Sequence, residues 1–328
     1  MKCINKTKIV AGLLLVSILC SGCGRTKAFS MAYDADTMSS AYSITQGDAS
    51  SVAATFSQDL CIANDNVNLK NIQLTGNECA GLFDLNQKEV LYALNVHKQM
   101  NPASLTKIMT ALLLLENAKL DDVITVTANV KIDEPGAQLC GLAEGDTLTV
   151  DQALYALLIY SANDVAVAIA EHVAGSVEAF ADMMNTEAQK LGATNTHFSN
   201  PHGLTASDHY TTAYDLYLIF NRVIQYDKFK EVIHTTEYSS VYHDKNGAEK
   251  QLNFKSTNQL LDSNSGYQVP DKVTVIGGKT GTTQAAGACL ILLSNDTAGN
   301  PYISIILKAD DKSVLYHNMV ELLSGIAS

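Results

Sequence analysis

Basic residues are scarce in this chain of 328 residues. Lys and Arg number 22 against 34 Asp and Glu, which gives a formal net charge of −12 and a pI near 5.0. Binding to a phosphate backbone requires a basic footprint, so nucleic acid is excluded as a partner. Metal-ligand cysteine spacings are missing beyond the first two dozen residues. Cys61, Cys79, Cys140 and Cys289 stand far apart, which argues against structural zinc, and no other pattern calls for a metal or cofactor. A Cys61–Cys79 bridge is permitted chemically outside the cytoplasm; inert buried thiols are the expectation. There is no internal repeat, and no apolar run approaches the roughly 20 residues needed to span a bilayer.

What is present begins at the N-terminus. "MKCINKTK" carries Lys2, Lys6 and Lys8, and "IVAGLLLVSIL" follows with the length of a signal-peptide apolar region. Ser21 and Gly22 then precede Cys23, an arrangement that resembles a bacterial lipobox, with Cys20 where an aliphatic residue is usual. The expectation is a lipoprotein-type leader over 1–22 and a lipid on Cys23 that anchors an extracytoplasmic protein to the membrane. Simple cleavage or an uncleaved anchor would export it as well. Residues 23–65, rich in Ser, Ala, Thr and Asp without a sustained apolar period, read as a flexible tether. Residues 66–328 read as one catalytic domain.

Within that domain "AGLFDL" and "EVLYAL", separated by "NQK", form a hairpin signature. "IMTALLLLENAKL" is apolar almost all round and predicts a helix buried in the centre. Thr149 stands three residues ahead of Gln152, a capping box for a helix over "VDQALYALLIY". Further helical stretches are "NDVAVAIAEHVAG", "VEAFADMMNTEAQKLG" and "TAYDLYLIFNRVIQY". The period then shortens to strands at "KVTVIGG", "ACLILLS" and "YISIILK", before a last amphipathic helix at "KSVLYHNMVELLSGI". Strands at both ends with helices between predict an α+β fold, a central antiparallel sheet from N- and C-terminal segments with an inserted helical subdomain. The seam between the two is the expected cleft.

Three short patterns fall along that seam. In "NPASLTKIM", Asn101 suits a helix N-cap and Pro102 a first helical position, which puts Ser104 in the first turn and Lys107 on the same face. A serine nucleophile needs a base, and Lys107 serves only if its pKa falls several units below the ordinary ~10.4. Burial and a second cation nearby would lower it. "SAND" offers the Ser161 hydroxyl to relay a proton and the Asn163 carboxamide to hold a substrate amide or the lysine. "GGKTGTT" offers Lys279 as the second cation, Thr280 and Thr282 to bind a carboxylate, and Gly281 to clear the strand edge for substrate. Each pattern also has an ordinary structural explanation: a capped helix, a turn, a strand end. A second serine-x-asparagine occurs at Ser256–Asn258.

Their occurrence in one order, Ser104–Lys107, Ser161–Asn163, Lys279–Thr280–Gly281, resembles the motif set of penicillin-binding proteins and class A β-lactamases. The likeness extends through "GLFDLNQKEVLYALNVHKQMNPASLTKIMTALLLLE", "NTHFSNPHGL", "HYTTAYDL", "STNQLL" and "VIGGKTGTT" to the low-molecular-mass D-alanyl-D-alanine carboxypeptidases. That resemblance implies a β-lactamase/transpeptidase-like fold and a serine peptidase acting on peptidoglycan stem peptides that end in D-Ala-D-Ala. It implies attack by Ser104, an oxyanion hole made by the N–H groups of Ser104 and Thr282, and inhibition by β-lactams. It also assigns Ser256 to a segment before the last strands, leaving Ser161 and Asn163 as the functional pair. Some relatives place an arginine after the last strand for the substrate carboxylate. Here "LKADDKSVLYH" has only Lys308 and Lys312, which leaves that task to Lys279, Thr280 and Thr282. Two other readings compete: a silent penicillin- or peptidoglycan-binding lipoprotein, and a β-lactamase, which needs a Glu-x-x-Leu-Asn segment absent between Ser161 and Lys279. A zinc peptidase would draw on His197, His202 and His209, which lie in segments the serine family already accounts for.

Overall fold

The computed structural model describes residues 59–327, apart from 71, 73, 75 and 76. The leader over 1–22, Cys23 and nearly all of the 23–65 tether lie outside the described residues. Residues 61–63 do not end a tether. Cys61 and Ala63 are buried, and Cys61 N–H donates to the Tyr217 hydroxyl at 2.8 Å.

The hairpin is present as β1 (Cys79–Asp84) and β2 (Glu89–Leu94). A buried helix follows, α1 (Lys107–Asn117), then two three-residue strands, β3 (Val123–Thr125) and β4 (Thr147–Thr149). The Thr149–Gln152 capping box opens α2 (Val150–Tyr155) as expected, with both reciprocal hydrogen bonds made. Next come α3 (Asn163–Ala174), α4 (Val177–Lys190), α5 (Ala213–Val223) and α6 (Asp227–His234). A second hairpin, β5 (Glu237–His243) and β6 (Glu249–Lys255), leads to the meander β7 (Thr274–Thr283), β8 (Gly287–Asn295) and β9 (Pro301–Ala309), and α7 (Lys312–Ser324) ends the fold.

The main sheet is antiparallel in the order β2-β1-β9-β8-β7, so the N-terminal hairpin adds to the edge of the C-terminal meander. This is the sheet expected from the sequence. Its central strands are apolar on both faces because both are covered. Cys289, Ile291 and Leu293 of β8 face the core shared with the inserted helices. Leu290 and Leu292 face a second core with Leu315, Met319 and Leu322 of α7. The α6 helix and a second sheet, β3-β4-β5-β6, were not legible beforehand. Three-residue strands carry almost no periodic signal. The polar face of β6 masks its alternation, in which Leu252 and Phe254 are buried and their neighbours exposed or half-buried.

The four described cysteines are free thiols, with Cys61, Cys79 and Cys289 buried. Burial pushes each of those three up to about 11, which keeps them protonated and inert.

Candidate active site

The nucleophile candidate does not sit in the first turn of an α-helix. Ala103–Thr106 is a single 3-10 turn, and α1 begins only at Lys107. Asn101 is not the cap: its side-chain amide donates to His209 O at 3.1 Å, and Pro102 occupies the cap position of the short turn. Ala103 takes φ +47, a left-handed conformation rare for a residue with a Cβ, and Ser104 follows it directly.

Lys107 is fully buried beneath Ser104. Its Nζ lies 3.0 Å from Ser104 Oγ, 2.7 Å from Asn163 Oδ1 and 2.6 Å from His202 O. A neutral amine has two N–H bonds and one lone pair. Asn163 Oδ1 and His202 O take the two N–H bonds, and the lone pair is left for the Ser104 hydroxyl proton. The electrostatics agree. Burial holds the Lys107 ammonium well below the ordinary lysine range, the charge of Lys279 lowers it further, and Asp164 opposes the shift.

The chain reaches Ser161 through a widened turn. After α2 the backbone opens into one π turn over Ala156–Tyr160 and closes at Ser161 in the left-handed region, φ +69. Phe254 of β6 stacks on Tyr160 at 4.7 Å, so the small second sheet braces this turn. Lys279 of β7 is 1% exposed, and its Nζ donates to Ser161 Oγ at 2.9 Å and to Thr280 O at 2.8 Å. Burial lowers its pKa to about 7. The two buried lysines therefore approach the cleft from opposite elements, Asn163 bonded to one and Ser161 to the other.

A cleft of about 340 Å³ lies above them, lined by Ser104, Ser161, Asn163, Thr280, Gly281 and Thr282 among others. All the predicted site residues inside the described region meet here, with Lys107 and Lys279 under its floor. Gly281 lines the cleft, and its lack of a side chain meets a further steric demand. A Cβ on it would stand 3.0 Å from Ser104 N and 3.1 Å from Ala103 Cβ, so its bareness lets β7 pass against the nucleophile turn. Of the two remaining lysines, Lys312 lines the cleft, while Lys308 Nζ donates to Ala285 O at 2.6 Å.

Several contributors gave no readable signal. Asp164 is 2% exposed and accepts from the N–H groups of Cys140, Gly141 and Leu142 at 3.0, 2.8 and 3.0 Å. With Asn163 N–H donating to Gln138 O at 2.8 Å, it pins the loop whose Gly136, Ala137 and Gln138 form one cleft wall. Thr257 lines the cleft, and its Oγ1 lies 2.6 Å from Thr280 Oγ1. That contact is the use of the duplicate motif. Ser256 and Asn258 themselves make an ordinary turn, with Asn258 Oδ1 accepting from Leu260 N–H at 3.1 Å. His197, His202 and His209 are each committed to loop hydrogen bonds, His197 Nδ1 lying 2.7 Å from Asp208 O and His202 Nδ1 accepting from Leu204 N–H at 3.1 Å.

A fully buried lysine on a serine, a second buried lysine on a bridging hydroxyl, and a strand edge beside them make an arrangement chemically suited to acyl transfer. Several known proteins are similar to this chain. Residues 65–311 match the family model described as D-alanyl-D-alanine carboxypeptidase. The Bacillus subtilis D-alanyl-D-alanine carboxypeptidase DacF is 35% identical over 217 residues, 64% of this chain and 52% of its own. The Escherichia coli enzyme DacD is 33% identical over 238 residues, 70% of this chain and 57% of its own. The chain thus spans little more than half the length of these curated relatives. Among solved structures, the Streptomyces K15 DD-transpeptidase is matched with a TM-score of 0.70 at 28% identity, over 80% of this chain and 100% of that one. Penicillin-binding protein D2 of Listeria monocytogenes, solved in a cefotaxime-bound form, is matched with a TM-score of 0.65 at 27% identity, over 79% of this chain and 100% of that one.

Proposed function

The chain belongs to the D-alanyl-D-alanine carboxypeptidase family, and on that premise we propose that it is a serine-type carboxypeptidase that removes the terminal D-alanine from peptidoglycan stem pentapeptides. The observation that carries this is the 3.0 Å approach of a fully buried Lys107 Nζ to Ser104 Oγ, with both other hydrogen-bonding directions of the amine satisfied.

In this reading Lys107 takes the Ser104 proton as Oγ attacks the penultimate carbonyl. The negative charge that develops on that oxygen is assigned to the N–H groups of Ser104 and Thr282, two residues that line the cleft. The departing amine needs a proton, and Ser161 relays to it the one that Lys107 has taken, which returns Lys107 to the neutral amine; the Ser161 hydroxyl borders the cleft and is held there by Lys279. Water then cleaves the ester, with Lys107 again as base. The carboxylate of the leaving D-alanine faces the end of the cleft lined by Thr280, Thr282 and Lys312, with Lys279 beneath it. A β-lactam presents an amide to the same nucleophile and forms an adduct on Ser104.

Intact-protein mass spectrometry with penicillin, paired with a D-alanine assay on a D-Ala-D-Ala pentapeptide, tests the reading. An adduct together with released D-alanine is the expected outcome. An adduct without release means a penicillin-binding sensor, and rapid loss of the adduct means a β-lactamase; either overturns the proposal.

The site of action follows from the substrate, which lies outside the cytoplasm. For the anchor we propose a lipid on Cys23, supported by Ser21 and Gly22 before it and the apolar run "IVAGLLLVSIL" upstream. A single acyl chain gives marginal binding and two or more give stable anchoring. Cys23→Ala is therefore expected to move the protein from the membrane to the soluble extracytoplasmic fraction. Persistence in the membrane fraction of Cys23→Ala protein from which the leader has been removed would refute lipidation.

A further inference from the structure

Ala103, immediately before the nucleophile, stays at φ +47 although nothing in its own chemistry favours it there. Its carbonyl oxygen accepts from Thr106 Oγ1 at 2.8 Å, and that same hydroxyl lies 2.8 Å from His209 Nε2. His209 is 1% exposed. Ser199 N–H donates to His209 Nδ1 at 3.1 Å, so Nδ1 is an acceptor and carries no proton. The ring proton is then on Nε2, and the direction of the chain is determined. His209 Nε2–H donates to Thr106 Oγ1, and the Thr106 hydroxyl donates to Ala103 O. The neutral ring this requires is secured chiefly by burial, which pushes the His209 pKa down to about 4.

The same segment holds the turn at other points. Asn101 donates to His209 O at 3.1 Å. Gly203, at φ +90, packs so closely that a Cβ on it would lie 1.9 Å from Ala103 O. Left-handed non-glycine residues persist where their surroundings over-determine them. Here the surroundings are His209, Thr106 and Gly203, and the residue restrained is the one whose peptide supplies the Ser104 N–H.

We infer that His209 and Thr106 are positioning residues for acyl transfer: their hydrogen-bond relay to Ala103 O holds the left-handed backbone and so aims the Ser104 amide and hydroxyl into the cleft. The inference rests on Ser104 being the nucleophile. Neither residue lines the cleft, so their effect reaches the reaction only through the backbone.

The test uses the full chain and a fluorescent penicillin, with the second-order acylation rate as readout. Thr106→Val removes both ends of the relay while keeping shape, and acylation is expected to slow by roughly tenfold to a hundredfold, below the cost of losing one oxyanion donor outright. Thr106→Ser keeps the hydroxyl and is expected to stay within about threefold of the parent. Adding Ala103→Gly to Thr106→Val is expected to recover at least about half of the loss on a logarithmic scale, because glycine holds a positive φ without restraint. A purely structural hydroxyl would lower thermal stability without this rescue. Parent-like acylation by Thr106→Val, or failure of Ala103→Gly to recover the rate, overturns the inference. If Thr106→Val does not fold, His209→Phe, which keeps an aromatic ring against Phe198 and deletes the donor, is judged by the same two criteria. Absence of any adduct on the parent protein would instead count against the carboxypeptidase reading itself.

Discussion

Ser104→Ala is expected to give a folded protein that forms no penicillin adduct and releases D-alanine at least roughly 10⁴-fold more slowly than the parent. The reason is specific to this site. Ser104 is only half-buried, and among the described residues its side chain has one hydrogen-bond partner, Lys107 Nζ at 3.0 Å. Deleting the hydroxyl leaves Lys107 with Asn163 Oδ1 and His202 O, so the floor of the cleft keeps its hydrogen bonds. Thermal stability should therefore change little while chemistry is lost. The check is adduct mass and D-alanine release on the same preparation, with the melting temperature alongside. Retained release by Ser104→Ala would place the nucleophile elsewhere.

Lys107→Ala is expected to lower acylation by roughly 10²–10⁴, the usual worth of a positioned general base. Its side effects differ from those of Ser104→Ala. Asn163 Oδ1 and His202 O lose a buried donor, at about 1–3 kcal/mol for each group left unsatisfied. Activity must therefore be expressed per folded molecule.

The parent pH profile carries the same point with a definite sign. In the proposed mechanism Lys107 works as a neutral amine, and burial together with Lys279 depresses its pKa, so acylation is expected to rise with pH through a limb well below the ordinary lysine range. The same mechanism uses Lys279 as a cation, and burial brings its pKa to about 7, so the rate is expected to fall again as pH passes that value. A bell with its descending limb near 7 is expected in kcat/KM, which reports the free enzyme. Replacing Lys279 by glutamine removes the neighbouring charge that makes protonated Lys107 costly. The rising limb should then move to higher pH. An unmoved limb would show that burial alone sets the state of Lys107.

The motif residues were legible before the fold because the chemistry needs those residue types in short local spacings. Ser104 and Lys107 are three apart, and Ser161 and Asn163 two apart. The main sheet was legible too, since β8 and β9 are buried on both faces and read as continuous apolar runs. The Thr149 capping box was realised because both of its hydrogen bonds close within one turn of chain.

Other features depended on contacts between distant segments. Asn101 is a good cap by type, yet its amide is spent on His209, 108 residues away, so the helix starts later. The π turn before Ser161 is braced by Phe254, nearly a hundred residues on, and no propensity of "ALLIY" announces it. Asp164 is an unremarked neighbour of Asn163 until three amides of the 140–142 loop fold onto it.

By itself, then, the sequence determined which groups are available for acyl transfer and that a two-faced antiparallel sheet would carry them, since both follow from residue type and local period. Tertiary structure alone decided that Lys107 is buried against Ser104 with its pKa lowered, that Lys279 lies beneath the cleft, and that Ala103 is bent left-handed before Ser104. A lysine's proton affinity and a peptide's φ are set by what surrounds them in space, and those surroundings come from segments that meet only when the chain is folded.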